Sequence, residues 1–258
     1  MVHNEAYRRI LNKLGYYSYQ HGLIYRHLKQ GNGWNVHLGN CRSFILKALD
    51  FYKPKKVTVL GSGWLLDLPL AEILEKTDSV TLADIVHPPE VISQVAGLRN
   101  VSLSEMDITG GLIEEVWEKA GKRSFLNRLR TLENIRIPEF DLPGDPGMVI
   151  SLNILTQLET LLIEFLKKRT GIREEEYQQF STTIQKNHLD FLSKHKSVLI
   201  TDTTEVFTDK SENVTDIHSV IIDLPDGKFK EEWTWNFDLK RSDYYQKRSV
   251  FKVVAIIL

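Results

Sequence analysis

The sequence is poor in cysteine and has no excess of charge of either sign. Cys41 is the single cysteine among 258 residues, which excludes an intramolecular disulfide framework. A lone cysteine is typical of a reducing compartment, so we expect a cytoplasmic location. The chain carries 33 basic and 34 acidic side chains, for a formal net charge of −1. General nucleic-acid binders usually show a strong basic excess, so this balance disfavours that class and leaves room only for a local patch.

Long apolar runs and several common catalytic motifs are also missing. No uninterrupted apolar stretch reaches the length of a membrane span, so we expect no membrane insertion. The first five residues, Met-Val-His-Asn-Glu, do not begin a secretory signal. The histidines show no tight ligand spacing such as His-Glu-x-x-His, so no metal site is expected. Neither a Gly-x-Ser-x-Gly elbow nor a Walker-type lysine occurs.

A glycine-rich stretch near residue 60 organises the rest of the chain. Val57 to Leu60 are apolar and favour a buried β-strand. Gly61, Ser62 and Gly63 follow at once, and residues 65–74 have helical apolar spacing, which predicts a helix directly after the turn. A strand, a glycine turn and a helix are the opening of a βαβ nucleotide-binding unit, in which the backbone approaches a ligand closely.

The next predicted strand supports this interpretation. Residues 79–84 end on Asp84, which lies 21 positions after Gly63. An acid about 20 residues after the glycines is the expected ligand of ribose hydroxyls. Leu66 holds the place of the third glycine of the dinucleotide fingerprint. The competing interpretation makes Asp84 a turn former, because Pro88 and Pro89 follow it.

Strands and helices alternate along the remainder, which predicts an α/β fold. Residues 1–53 are expected to form an N-terminal helical extension, and residues 54–258 the main domain. Further strands are predicted at 100–109, 148–152, 198–201, 219–224 and 250–258. The last strands lack a helix-length crossover, which favours antiparallel pairing at one sheet edge. Residues 119–147 carry clustered lysines and arginines and several prolines, and are interpreted as a solvated face or as a lid.

Three blocks of this sequence resemble the class I S-adenosylmethionine-dependent methyltransferases: Val59-Leu-Gly-Ser-Gly63, Asp84, and Met106-Asp-Ile-Thr109. The resemblance covers about residues 54–258. It implies a Rossmann-like, seven-stranded, mostly parallel sheet with helices on both faces and an antiparallel last strand. It also implies S-adenosylmethionine as the cofactor and methyl transfer as the activity, with a small-molecule acceptor favoured by the neutral charge balance. Protein and RNA acceptors remain open.

The resemblance assigns roles to individual residues on the cofactor side. The glycine turn is expected beside the methionine part of the cofactor, and Asp84 at the ribose. Asp107 is expected to read the adenine amino group, and Ile108 to pack on the ring. The residues assigned to cofactor binding are Gly61, Ser62, Gly63, Asp84, Ile85, Asp107, Ile108 and Ser151.

On the acceptor side, Ser151 and Asn153 follow the fourth strand and are expected to face the transferable methyl. Asn153 is the candidate catalytic residue, as an orienting group, and the competing interpretation makes it a helix cap. Helices before the glycine strand often cover the acceptor in this family. The residues there that are expected to contact substrate are Tyr19, Trp34, His37 and Arg42. Taken singly, Trp34 is also interpreted as a loop anchor and His37 as a solvated loop residue.

The sequence departs from the family pattern at two places, and two other functions stay open. Val59 stands where the family often carries an acid. Ser151-Leu-Asn-Ile154 lacks the Asn-Pro-Pro-aromatic motif used to methylate amino groups of nucleic acids and proteins. One alternative is a non-catalytic binding protein on the same fold. The other is an NAD-dependent oxidoreductase, which the missing third glycine and the Met106–Thr109 block disfavour.

Overall fold

The computed structural model describes residues 3–121, 129–242 and 247–258. Within these ranges the strands form one sheet in the order β3-β2-β1-β4-β5-β8-β7, and β6 pairs with β5 off this path. Strands β1 to β5 are parallel along the path, and β8 runs antiparallel to both β5 and β7. The strands are β1 Lys56–Leu60, β2 Ser79–Asp84, β3 Val101–Glu105, β4 Met148–Leu152, β5 Ser197–Thr208, β6 Val214–His218, β7 Phe229–Asp238 and β8 Arg248–Ile257.

Helices occupy most of the segments between these strands. The chain begins with three of them, and Asn4 caps the first, since its Oδ1 accepts a hydrogen bond from the Tyr7 N–H at 2.9 Å. Gly15, with φ of 95°, ends that helix. The helices are α1 Glu5–Leu14, α2 Tyr16–Gln30, α3 Asn35–Tyr52, α4 Leu70–Lys76, α5 Pro89–Val95, α6 Leu112–Ala120, α7 Thr160–Lys167 and α8 Glu174–Ser193, with short 3-10 turns at Gly31–Trp34, Leu132–Asn134 and Leu155–Gln157.

The sheet is covered on both faces, as predicted. Successive strand residues point to opposite sides, so Val59 packs in one core and Leu60 in the other. Helices α3, α4 and α5 cover the Val59 side, and α1, α6, α7 and α8 cover the Leu60 side. Because α1 and α3 contribute to these two cores, the described N-terminal residues 3–53 pack on the sheet. The separation of residues 1–53 as an extension stays a prediction.

The predicted path of seven strands with an antiparallel last strand is confirmed, but the described sheet has an eighth strand. That strand, β6, covers residues 214–218, and the strand predicted at 219–224 is wrong. All five residues of β6 are exposed, so no apolar pattern marked it. Four of residues 219–224 are apolar, but the Ile221 N–H donates to the Gln185 side chain at 3.1 Å instead of to a neighbouring strand.

Two predictions about the surroundings of the glycine turn are also wrong. No helix begins at the turn, because α4 starts only at Leu70, after Pro69, whose ring removes a backbone donor and restricts the preceding residue. The segment with Trp34 and His37 is not a loop. Trp34 ends a 3-10 turn and His37 lies in the first turn of α3, where it is buried.

Part of the described 119–147 segment packs on the core, while its described basic residues Lys119 and Arg130 are exposed, as on a solvated face. Ile135 and Phe140 are buried, and Phe140 meets Phe191 of α8 edge to face. The Leu132 N–H donates to a Glu176 carboxylate oxygen at 2.9 Å. Lys122, Arg123 and Arg128, which contributed to the charged cluster, lie outside the described residues. No described helix is long and apolar enough to cross a membrane.

Candidate active site

The glycine turn at the end of β1 adopts a backbone that requires glycine. Gly61 has φ of 78° and Gly63 has φ of 49°, both in the left-handed region. A Cβ on Gly61 would lie 2.9 Å from the Ile154 Cβ and 2.9 Å from the Leu152 carbonyl oxygen. The turn is thus pressed against the end of β4, and its backbone forms a wall without side chains.

Asp84 lies beside this turn and holds it in place. One carboxylate oxygen, Oδ2, accepts the Gly63 N–H at 2.7 Å, and the other, Oδ1, accepts the Ile85 N–H at 2.8 Å. Gln20 of α2 approaches Oδ1 at 3.5 Å. Burial raises the pKa of Asp84, and the Gly63 hydrogen bond opposes that shift. Asp84 therefore contacts the glycine turn directly, and its role is not limited to forming the local turn after β2.

A cavity of about 120 Å³ lies between the glycine turn, α2 and the end of β4. It sits at the carboxyl ends of β1, β2 and β4, where the strand order reverses and open α/β sheets bind ligands. Many of the predicted site residues meet here. Those that line it are Gly61, Gly63, Asp84, Ile85, Asn153, Tyr19, Trp34 and His37.

A smaller pocket of about 40 Å³ lies nearby and is lined by Asp107 and Ile108. Tyr16 and Ile85 line both this pocket and the larger cavity. The Asp107 carboxylate already accepts from the N–H and hydroxyl of Thr109, and from the N–H groups of Gly111 and Ile113 at 3.2 Å. These four donors match the roughly four lone-pair sites of a carboxylate. An adenine amino group would have to donate to a carboxylate that already binds N–H groups at the start of α6. The role predicted for Asp107 stays a prediction.

Asn153 does not cap a helix. Its Nδ2 donates to the Asp67 Oδ2 at 2.8 Å, and the helical turns that follow have no side-chain cap. The residue has φ of 50°, a left-handed conformation that asparagine tolerates better than most residues. Its buried Oδ1 accepts no hydrogen bond from the described residues. The side chain therefore offers one open acceptor at the cavity.

Three other predicted site residues do not line the cavity. Ser151 is fully buried, and its hydroxyl pairs with His188 Nε2 of α8 at 2.8 Å. Arg42 donates to the Leu66 carbonyl oxygen on the outer side of α3. Ser62 is buried within the turn, and its hydroxyl has no described partner.

His37 is held in one tautomer by its neighbours. The Trp233 indole N–H donates to Nδ1 at 3.1 Å, so the ring proton must reside on Nε2. The Trp235 ring stacks on the imidazole with centroids 3.8 Å apart and planes inclined by 5°. Burial lowers the pKa of His37 to about 3, so the ring is neutral near pH 7. His37 thus presents an N–H donor, with no free basic nitrogen.

The tautomer of His37 also affects whether a nearby cluster of three residues could bind a metal. His37, Cys41 and Asp67 each place a ligand atom within 4.8 Å of the others. These residue types bind zinc in other proteins. Here the Nε2 that faces Cys41, at 3.5 Å from its Sγ, carries the proton, and Nδ1 is taken by Trp233. The hydrogen bonding opposes a metal at this cluster, and the expectation of no metal stays a prediction.

Several cavity residues had no assigned role in the sequence analysis. Asp67 and Trp235 belong to this set, together with Tyr16, Gln20 and Trp64. One signal was available: His37 and Cys41 are four residues apart, which places them on one face of a helix. That signal was lost because His37 was assigned to a loop.

Comparison with protein-family models and with curated proteins finds no match. Solved structures similar to this chain include the N-methyltransferase NodS from Bradyrhizobium japonicum WM9 with S-adenosyl-L-homocysteine, at 10% identity and TM-score 0.37, covering 84% of this chain and 85% of that one. Another is the DhpI complex with S-adenosylhomocysteine, at 10% identity and TM-score 0.38, covering 96% of both chains.

A third similar structure is the 1,6-didemethyltoxoflavin-N1-methyltransferase from Burkholderia thailandensis, with 1,6-didemethyltoxoflavin and S-adenosylhomocysteine bound. It is 10% identical, with a TM-score of 0.39, and the match covers 100% of this chain and 92% of that one. Similarity at this level carries no argument about activity.

Proposed function

We propose that this protein is an S-adenosylmethionine-dependent methyltransferase. One observation carries the proposal: the Gly63 N–H and the Asp84 carboxylate are joined at 2.7 Å and together line a cavity at the switch point of the sheet. A glycine turn provides close backbone approach, and a buried acid provides acceptors for two hydroxyl groups. These are the two features that a nucleoside with a charged tail requires.

The residues around the cavity fit this cofactor. Gly61 leaves room where a Cβ would meet β4, and Ile85 and Ile108 give the small pocket the apolar surface that a base ring needs. Gln20 Oε1 and Asn153 Oδ1 are buried acceptors with no described partner. When bound, S-adenosylmethionine supplies an electrophilic methyl group on a sulfonium.

Asp67 can replace the acid that is missing at Val59. Val59 is fully buried in the core and does not line the cavity. Asp67 lines the cavity from the loop after the glycine turn, and its Oδ2 is held by Asn153 at 2.8 Å. Its carboxylate is suited to the amino group of the cofactor, because an opposite charge is most effective where water is partly excluded.

The remaining wall residues position the acceptor and exclude water. Tyr19, Trp34 and Trp235 bring aromatic surface over the cavity. Orientation alone can lower the barrier of a bimolecular displacement by roughly 7–11 kcal/mol. Neither His37 nor Asn153 is a strong base, so the role that we assign to them is to position the acceptor. A small molecule is the favoured acceptor, because the cavity lies beneath α2.

Titration with two cofactors tests this proposal. We expect S-adenosylhomocysteine to bind with micromolar affinity in calorimetry, and NAD⁺ to show no binding under the same conditions. Transfer of a labelled methyl group from S-adenosylmethionine to any acceptor then separates an enzyme from a non-catalytic binding protein. Absence of S-adenosylhomocysteine binding to the folded protein contradicts the proposal, and tight NAD⁺ binding would point to the oxidoreductase instead.

Asn153→Ala tests the role of the cavity amide. We expect turnover to fall by about two- to tenfold, the effect of one neutral hydrogen bond, while the affinity for S-adenosylhomocysteine is unchanged. Asn153→Gly tolerates φ of 50° and separates loss of the amide from backbone strain. Asn187→Ala removes a partly buried asparagine on α8 and serves as the control. Full turnover in both Asn153 variants would show that the amide is only structural.

A further inference from the structure

A second cavity, of about 510 Å³, opens beside the glycine-turn cavity. Helices α2 and α7 form one side of it, and β5, β7 and β8 form the other. Tyr19, Gln157 and Trp235 line both cavities, so the two are separated only by single side chains. The volume lies in the range of cavities that hold small molecules. This second cavity is therefore placed to hold the molecule that meets the cofactor.

Carboxylates dominate the charged part of this cavity. Glu159, Glu164, Asp202 and Glu205 line it, and the two basic residues in the described wall are Arg26 and Lys167. Both of these are paired with acids elsewhere. Arg26 Nε lies 3.5 Å from Asp238, and Lys167 Nζ lies 2.8 Å from Glu174. Glu164 is paired with Lys168 at 3.5 Å. The carboxyl groups of the wall that have no basic partner among the described ion pairs are therefore Glu159, Asp202 and Glu205.

Glu159 is an incomplete hydrogen-bonding site. Its side chain is 5% exposed, and its Oε1 accepts from Gln185 Nε2 at 2.8 Å. Gln185 is itself fixed, since its Nε2 also donates to the Ser219 carbonyl at 2.9 Å. The second oxygen, Oε2, has no partner among the described residues. A buried acceptor left open in this way is unfavourable, and a ligand that donates a hydrogen bond satisfies it.

The opposite wall is aromatic. Trp235, Phe237 and Phe251 form a contiguous group, with ring centroids 4.6 to 5.6 Å apart. Aromatic faces attract cations as well as apolar groups. A ligand that suits both walls has an apolar body and a positively charged end that donates hydrogen bonds.

We propose that the acceptor is a small primary or secondary amine, bound in this second cavity with its ammonium group at Glu159 and Asp202 and its apolar body against Trp235. This inference rests on the proposed function, since it names the acceptor class for the same site. It does not depend on the missing Asn-Pro-Pro-aromatic motif, because that motif is used for amino groups presented on nucleic acids and proteins, and a small amine is a free molecule.

The acidic wall can also remove the proton that blocks methylation of an ammonium. The base is the ionised form of Glu159, which is the minor form in the free protein near pH 7. One proton leaves the nitrogen for this carboxylate, the nitrogen keeps the electron pair of the N–H bond, and the carboxylate becomes a carboxylic acid. Burial, and then the nearby Asp202 charge, raise the pKa of Glu159 to about 8. The pKa of Glu159 is therefore closer to that of an aliphatic ammonium than the pKa of an ordinary carboxyl group is, and this smaller difference makes the proton transfer easier.

Calorimetry without cofactor tests the binding class directly. The probes are 2-phenylethylamine and cyclohexylmethylamine, each paired with the alcohol of the same shape, and 3-phenylpropionate as the anion. We expect each amine to bind roughly tenfold to a hundredfold more tightly than its alcohol, and the anion to bind most weakly. If neither amine binds more tightly than its alcohol, the proposal is wrong.

Two variants test which carboxylate binds the ammonium group of the amine. Glu159→Gln keeps the side-chain shape and should abolish most of the preference for amine over alcohol, and Asp202→Asn should reduce it. Glu75→Gln, on the exposed face of α4, is the matched control and should leave the preference unchanged. Should Glu159→Gln fail to fold, Asp202→Asn alone carries the test. An amine preference that survives both variants overturns the assignment.

The outcomes separate this inference from the proposed function. If S-adenosylhomocysteine binds but amines and alcohols bind equally, only the acceptor class is wrong. If amines bind through Glu159 but S-adenosylhomocysteine does not bind, the cofactor assignment fails and the amine site stands. Appearance of an N-methylated amine from labelled S-adenosylmethionine would support both.

Discussion

Replacing Asp84 with alanine is expected to raise the dissociation constant of S-adenosylhomocysteine by about tenfold to a hundredfold. A charge-assisted hydrogen bond contributes about 1.5–3 kcal/mol, and the carboxylate is proposed to accept from the ribose hydroxyls. The variant also removes the acceptor for the Gly63 N–H at 2.7 Å, so the glycine turn loses an attachment to β2. Calorimetry at a fixed salt concentration measures the change.

Two further variants make the Asp84 result specific. Asp84→Asn keeps one acceptor oxygen but loses the charge, so its affinity should fall between that of the wild type and the alanine variant. Asp78→Ala removes an exposed acid at the opposite end of β2 and should change nothing. Unfolding curves must show that the Asp84 variants remain folded at the titration temperature. An unchanged affinity in a folded Asp84→Ala protein would remove the ribose role.

The central strands were predictable because burial on both faces leaves a plain signal. Strands in a parallel sheet covered by helices are nearly continuous apolar runs, and residues 57–60 and 148–152 have that composition. The glycines and Asp84 gave the position of the switch point, because they follow two such strands directly. Chain order thus sufficed to place the carboxyl ends of β1 and β2 at one cavity.

The edge of the sheet was not predictable in the same way. Strand β6 is exposed along its whole length, and β5 continues beyond its apolar part to pair with both β6 and β8. Residues 219–224 imitate a strand because most of them are apolar. The Ser219 and Val220 N–H groups both donate to the Thr203 carbonyl of β5, but Gln185 of α8 then binds the Ser219 carbonyl and the Ile221 N–H. A side chain that is distant in sequence decides the structure there, and local periodicity carries no information about it.

The polar residues inside the site could not be predicted for the same reason, namely that their partners are distant in sequence. Asp67, Asn153 and His37 come from a loop, a strand end and a helix, and they meet around one cavity. Glu159 was assigned no role from the sequence, because nothing in its neighbourhood marked it as the open acceptor of a cavity. Such residues are identified by what surrounds them in three dimensions, and a single sequence supplies the residue types alone.

Glu159→Gln is expected to stabilise the protein, by an amount that grows with pH. The carboxyl has a pKa raised from 4.5 to about 8 in the native state, chiefly by burial. Between these values the native protein keeps a proton that the unfolded chain has released, so wild-type stability falls as pH rises, by up to about 1.4 kcal/mol per pH unit. Below pH ~4.5 both states are protonated and the penalty is absent. Above pH ~8 both are ionised and the penalty is constant.

Glutamine cannot ionise, so its advantage over the wild type should be near zero at pH 4.5 and approach roughly 4 kcal/mol at pH 8. Urea unfolding of both proteins across this range measures the difference. The charged groups that share the cavity are Asp202, Glu164, Glu205, Arg26 and Lys167, and they are present in both proteins, so their titration largely cancels. Glu75→Gln, with an exposed side chain, should follow the wild type at every pH. Parallel stability curves for Glu159→Gln and wild type would mean that Glu159 is ionised near pH 5, and the cavity would then already hold a counter-ion for it.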